Sequence, residues 1–403
     1  MSYGMEYLRR RLAHKAVRVD LRYKHYEMKN RVPDLGISSP PDLRQWTNTL
    51  GWCGKAVDSL ADRLQFDGFK NDNFDLNTIF NMNNPDTLFD SAILSALISA
   101  CCFVYITEDE TGYPRMQVLD GSRATGIIDP FTGLLKEGYA VIEQDEHRKA
   151  MKEAYFLPGL TEVYAGGKKV GEYRYEVDYP LLVPIVYRPD AMRPFGHSRI
   201  SRACMSIVGG AVRTVKRSEI SAEFYSYPQK YVLGISENVE MPDKWQATMS
   251  AMMAFTKDED GDSPTLGQFE QASMVPHAEQ LRMFAALFAG ETGLTLDDLG
   301  FVTDNPSSAE AIKASHENLR LMARKAQRNF GSGFLNAGFL AACVRDEVRY
   351  RREQVYMTRA AWLPIFEPDA STLSLIGDGA IKLNQAVPGY MDDERLHGLT
   401  GLG

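Results

Sequence analysis

The sequence is poor in the features that most readily assign a chemistry. Cysteine occurs five times in 403 residues, at Cys53, Cys101, Cys102, Cys204 and Cys343. This odd, scattered set has no C-x-x-C spacing, so neither a disulfide framework nor a zinc site is suggested, and reduced, buried thiols of a cytoplasmic compartment are expected. There is no excess of positive charge: 45 Lys and Arg stand against 53 Asp and Glu, a net charge of −8. The chain as a whole is no electrostatic glove for nucleic acid, and any such contact must be local. The opening MSYGMEYLRRRLAHKAVRVD lacks the apolar core and small-residue cleavage site of a signal peptide, so no export is expected. The longest apolar run, Ala92 to Ile106, falls short of the ~20 residues that span a bilayer and reads as a buried helix running into a strand.

Recognisable active-site patterns are also missing. No G-x-S-x-G and no Walker A loop is present, and the seven histidines are dispersed. His316-Glu317 lacks the second histidine of a zinc-binding H-E-x-x-H, and Asp258, Asp260 and Asp262 in DEDGD open like a calcium loop but meet Phe269 where a bidentate carboxylate is required. Gly331-Ser-Gly333 with Gly338 is fed by a helical pattern, whereas a dinucleotide loop must be fed by a strand, so the glycines read as a helix bend. These absences predict neither metal nor cofactor and a chain that is not an enzyme.

What is present is an ordinary globular composition, 44% apolar and 24% charged, long enough for two or three packing units. From Met5 to about Ala100 the pattern is helical, broken by proline at Arg31-Val-Pro33 and Ser39-Pro-Pro41. From Phe103 to Val186 it becomes a series of short β-type runs (CFVYIT, RMQVLD, GYAVIEQ, KEAYFLP, TEVYAGG, EYRYEVDY) that predict a meandering antiparallel unit. A helix capped by Ser198 is expected to run to roughly Glu223, before Tyr227-Pro228. PQKYVLGI and TLGQFEQ read as strands of a compact α/β insertion containing a Met-rich helix, Pro242 to Thr256. A helix from Pro276 to Gly290, a polar loop from Gly293 to Ser307, and a long helix opened by the capping box Ser307-Ser-Ala-Glu310 follow.

The most informative chemical feature is the helix from Ser198 to Glu223. It carries Arg199, Arg202, Arg213, Lys216 and Arg217 and no acidic residue before Glu219, with Ile200, Cys204, Ile207, Val208, Ala211 and Val215 as an apolar stripe. It reads as a basic rod in an acidic protein, either a contact for an anion or a solvated surface helix.

The order of these elements, with FGHSRISRA, EFYSYPQKYVLG, the MVPH helix entry and DNPSSAEAI, resembles the portal proteins of long-tailed bacteriophages and related prophages, the Gp6-like phage portal family, over roughly residues 40 to 390. The resemblance implies an α+β portal fold and a non-catalytic structural protein. It assigns 1-106 to the N-terminal helical part of the wing, 107-196 to its β-rich part, 197-225 to the first stem helix and 226-275 to the clip. It continues with 276-292 as the second stem helix, 293-307 as the tunnel loop, 308-345 as the long wing helix and 346-403 as a C-terminal wing or short crown segment. It further implies a ring, usually of twelve subunits, at one capsid vertex of the virion, assembled in the host bacterial cytoplasm. The implied partners are double-stranded DNA without sequence preference, the large terminase, the major capsid and scaffolding proteins and a head-tail adaptor, with no membrane. Leu294, Thr295, Asp297, Asp298, Thr303, Asp304 and Asn305 of the tunnel loop, and the five basic residues above, are the candidate DNA-facing positions. A head scaffolding or adaptor protein and a phage DNA-processing enzyme with dispersed catalytic groups are the alternatives.

Overall fold

The computed structural model describes residues 3–34, 43–226, 230–233, 265–268, 273–301, 314–366, 368 and 370–401. The chain divides into two compact units, one formed by Met1–Asn30, Gly51–Met205 and Gly290–Gly403, the other by Arg31–Leu50 and Ser206–Ala289.

The larger unit begins with helices α1 (Met5–Tyr26) and α2 (Trp52–Ala61), a short strand β1 (Phe66–Lys70), and helices α3 (Leu76–Asn81) and α4 (Pro85–Ser99). Proline at the first position of α4 suits a helix start, where no N–H partner is needed. Leu88, Phe89, Ala92, Ile93, Ala96 and Leu97 are all buried and form the inward face of this helix, while Asp86, Thr87 and Asp90 are exposed. Ala100, at φ 84°, turns the chain directly into β2 (Cys101–Glu108), which is the helix-to-strand passage expected from the apolar run. Holding a non-glycine residue there costs on the order of 1–3 kcal/mol.

The β-rich stretch continues as β3 (Pro114–Leu119), β4 (Ala124–Ile128), β5 (Leu135–Gln144), β6 (Ala150–Leu157), β7 (Leu160–Ala165), β8 (Lys168–Arg174) and β9 (Leu182–Val186). Strands β4 to β8 form a five-stranded antiparallel meander in chain order, and β3-β2-β9 a separate three-stranded antiparallel sheet. Alternation along the strands sorts the side chains. Ala140, Ala154 and Phe156 join Cys101, Phe103, Leu119 and Leu182 in one core, while Tyr139, Val141 and Tyr155 pack with Leu8 and Leu12 of α1. The meander was expected; β4 and β9 are additional strands.

After the larger unit's Gly293–Phe301 segment comes α7 (Glu317–Asp346), then β12 (Arg359–Trp362), α8 (Ala370–Ala386) and α9 (Asp393–Thr400). β12 pairs antiparallel with β1 from almost 300 residues earlier. Phe66, Phe69, Phe80, Phe89, Phe334 and Trp362 form a continuous aromatic cluster where these elements meet, with ring centroids 4.2 to 6.3 Å apart. The bend expected at Gly331 and Gly333 is replaced by an uninterrupted helix. A Cβ on Gly331 would lie 2.7 Å from the Cβ of Ala360, and one on Gly333 2.8 Å from Cδ1 of Ile185, so the glycines permit close approach of neighbouring elements.

In the smaller unit, the C-terminal part of α5 (Arg202–Ser226) packs on α6 (Val275–Thr292): Gly210 faces the ring of Phe284, and the Thr214 hydroxyl donates to Oε1 of Gln280 at 2.9 Å. β10 (Lys230–Leu233) and β11 (Thr265–Gln268) form a two-stranded antiparallel sheet, the two strands expected of the insertion. The Met-rich helix and the DEDGD turn lie outside the described residues.

Candidate functional site

The basic helix starts later than its sequence pattern predicts. Ser198 is not its cap: its hydroxyl donates to the Ile98 carbonyl at 2.6 Å and accepts from the Ile200 N–H. Ser201 takes the capping role, accepting from the Cys204 N–H at 3.1 Å, and the helix spans Arg202–Ser226.

This shift and the surroundings divide the five cations. Arg199 precedes the helix and is buried. Its guanidinium donates to the carbonyls of Ala56 at 3.1 Å and Thr292 at 2.5 Å and contacts the sulfur of Met322 at 3.0 Å. Burial pushes its pKa down from the ordinary arginine value. Lys216 is also buried, paired with Asp34 at 2.8 Å and donating to the Arg44 carbonyl at 3.1 Å. Both side chains therefore serve the chain's own interior, contrary to the expectation of a helix face showing all its cations. Arg202 is exposed; Arg213 and Arg217 are half-buried, and no carboxylate pairs with either among the described residues. The last two, with Lys216, Asp34, Arg44 and Trp46, line a cavity of only about 40 Å3, too narrow for more than a water-sized guest.

The segment expected as a polar loop is half anchored. Leu294 and Leu299 are buried, and Asp297–Leu299 form one turn of 3-10 helix closed by Gly300 in the left-handed region. The Thr295 N–H and hydroxyl both donate to Oδ2 of Asp298, at 2.8 and 2.9 Å. Burial raises the Asp298 pKa, but the Thr295 donors, His316 and Lys55 outweigh it and hold the carboxyl below its ordinary value. Phe301 meets Trp52 edge-on, with ring centroids 6.5 Å apart. Asp297 is exposed. Thr303, Asp304, Asn305 and the Ser307-to-Glu310 capping box lie outside the described residues.

Among the described residues, no group of three or more His, Cys, Asp or Glu is placed to hold a metal ion, and no helix is long and apolar enough to cross a membrane. All five cysteines are buried and unpaired with one another. A second set of cations, on α1, was not singled out from the sequence, although its spacing of four, three and four residues is a readable signal.

Fold and site together define a mixed α/β protein with a helix-bracketed β insertion and scattered surface cations. No protein-family model matches the chain. The portal protein of Mycobacterium phage L5 is 24% identical over 396 residues, covering 92% of this chain and 79% of its own length. That of Mycobacterium phage D29 is 24% identical over 392 residues, covering 92% and 80%. These phage portal proteins are homologues of the chain over most of its length, and the resemblance read from its sequence stands on them. Among solved structures, a chain from the virion of a native gene transfer agent particle aligns with a TM-score of 0.48 at 13% identity, covering 96% of this chain and 99% of that one. A chain from the neck of the native particle, computed with C12 symmetry, aligns at 0.48 and 14% identity, covering 91% and 95%.

Proposed function

We propose that the chain is the portal subunit of a bacteriophage or related prophage. In this reading, subunits close into a ring, twelve in number, at one vertex of the capsid. The ring conducts double-stranded DNA during packaging and ejection and offers docking surfaces to the large terminase, the capsid and scaffolding proteins and a head-tail adaptor. Its role is structural, and assembly takes place in the host bacterial cytoplasm.

The observation that carries the reading is co-linear similarity to two portal proteins across 92% of the chain. Helices α5 and α6, with β10 and β11 between them in sequence, suit the two stem helices and the clip; the sheets and α7 suit the wing; and the segment after Tyr350 suits a C-terminal wing or short crown piece. The acidic balance of the chain suits a conduit. Phosphate contacts give sequence-independent affinity, and a channel through which DNA must slide keeps that affinity low. Arg202, Arg213 and Arg217 are the stem cations left for such sparse contacts once Arg199 and Lys216 are committed internally, and Asp297 is the exposed acid of the anchored part of the tunnel loop.

Native mass spectrometry of the full chain tests the reading. A closed species near twelve times 45.2 kDa is expected, and a persistent monomer or dimer would overturn it in favour of an adaptor or an enzyme.

A further inference from the structure

Arg11, Lys15, Arg18 and Arg22 occupy one face of α1. That face borders a cleft of about 310 Å3, with Arg193 on the 192–196 segment of its lining. No carboxylate pairs with any of these five cations among the described residues. Their contacts are of other kinds. Lys15 Nζ lies 3.4 Å from the Ala124 carbonyl, 3.1 Å from the Cys101 sulfur, and about 5 Å from the ring centroids of Phe103 and Phe195. Arg22 donates to the Ser99 carbonyl at 3.0 Å, and the Arg11 guanidinium lies 5.4 Å from the centroid of Phe195. Carbonyls and ring faces orient these heads without neutralising them.

The nearby acids are engaged elsewhere. Asp190 pairs with His197 at 2.5 Å and accepts from the Met192 and Arg193 N–H groups, Asp120 accepts from the Ser122 N–H, and Asp20 lies 3.5 Å from Arg148. Burial first, then the positive charge of Arg18 and more weakly that of Arg193, push the Arg22 pKa down against an opposing contribution from Cys101. Five gathered cations in a chain of net charge −8 call for an anion from outside.

We propose that this cleft binds the phosphodiester backbone of a nucleic acid. Phosphate oxygens only accept hydrogen bonds, and the cleft presents mainly donors, since Arg22 and Lys15 already engage the carbonyls of Ser99 and Ala124. A docked acidic peptide would bring N–H donors to those occupied carbonyls. The cations run over twelve residues of helix, about 16 Å from first to last, which exceeds one phosphate and matches a strand of them. Four of the five are arginines, whose planar forks fit phosphate oxygens. The inference goes beyond the portal reading and requires no ring.

The test is fluorescence anisotropy of the full chain with a labelled duplex of about 20 base pairs, titrated from about 50 to 200 mM salt. Replacing the cations that hold no carbonyl, Arg11→Gln, Arg18→Gln and Arg193→Gln together, is expected to weaken binding at least tenfold and to flatten the log-log salt slope by about 2 to 3. An unchanged slope overturns the proposal. So does displacement of the duplex by poly-glutamate at equal charge concentration, which would make the cleft a site for acidic peptides. If the triple variant does not fold, Arg18→Glu alone decides by the same loss or retention of affinity. The oligomer mass of each variant is read in parallel, so a failed ring and a failed cleft give separate results.

Discussion

Lys216 and Asp34 form a 2.8 Å ion pair inside the chain, with only 11% and 20% of their side-chain surfaces exposed. This pair turns a candidate DNA contact into a structural element. Lys216→Gln takes a buried ammonium away from its 2.8 Å contact with Asp34 and from the Arg44 carbonyl, so it is expected to destabilise the protein by about 3 kcal/mol, whereas Lys216→Met combined with Asp34→Leu recovers part of that loss. Chemical denaturation of the two variants checks this. Equal stability of Lys216→Gln and the unmodified protein would contradict the pair's structural role.

Arg199 has a similar fate through different partners. Its fork reaches two backbone carbonyls and a thioether at once, a geometry that a lysine ammonium cannot reproduce. Arg199→Lys is expected to cost about 2 kcal/mol, because the Ala56 and Thr292 carbonyls lose well-aligned donors. Salt-dependent DNA affinity should stay unchanged. A variant that unfolds normally but binds DNA more weakly would return Arg199 to the nucleic-acid surface.

These two residues mark what the sequence could and could not disclose. The charge run on α5 was legible, but the partners Asp34, Ala56 and Thr292 lie roughly 90 to 180 residues away in the chain, beyond the reach of any local pattern. The α4-to-β2 passage, the meander and the pair β10 and β11 were legible because alternation and apolar runs are local. β9 was missed because Pro184 demotes a strand in sequence; it is tolerated because β9 lies at a sheet edge. β1 was missed because FDGFK is short, carries Gly68 at φ 95°, and gains its partner only from β12. Ser198 and Ser201 are equally good caps by type, and only the burial of Ser198 against α4 separates them.

Gly331 tests whether the α7 glycines serve close packing or bending. The Cβ of Ala360 is fixed to the backbone of β12 and cannot rotate away, so Gly331→Ala is expected to cost about 1–3 kcal/mol while helix content stays constant. Differential scanning calorimetry with far-ultraviolet circular dichroism separates the two roles. Stabilisation, as expected when alanine replaces glycine in an open helix, would refute the close-packing account.

The thiols give a prediction in reactivity. Burial, with a smaller contribution from Cys204, pushes Cys53 up to about 12; burial likewise lifts Cys343 to about 11 and Cys102 well above the ordinary thiol value. Only thiolate reacts, so at pH 8 the folded protein is expected to resist iodoacetamide at these positions and to take up label on unfolding. Rapid native labelling of Cys53, read by peptide mass spectrometry, would show that α2 opens readily.

The Gly293–Phe301 segment carries two adjacent aspartates with opposite tasks. Asp298 is held by Thr295 and has a depressed pKa, so its stabilising contribution is present above the ordinary aspartate value of 3.8 and is lost as pH falls through the lower folded value. Proteolysis within this segment should therefore rise in acid below that window, and Asp298→Ala should produce the same susceptibility at pH 7. Asp297 is exposed and has no part in that network, so Asp297→Asn should leave the cleavage pattern unchanged. If the segment faces DNA in a ring, removing this repulsive charge alters DNA retention at constant ring mass. Cleavage that does not respond to pH or to Asp298→Ala would mean that Leu294 and Leu299, rather than the carboxylate, hold the segment down.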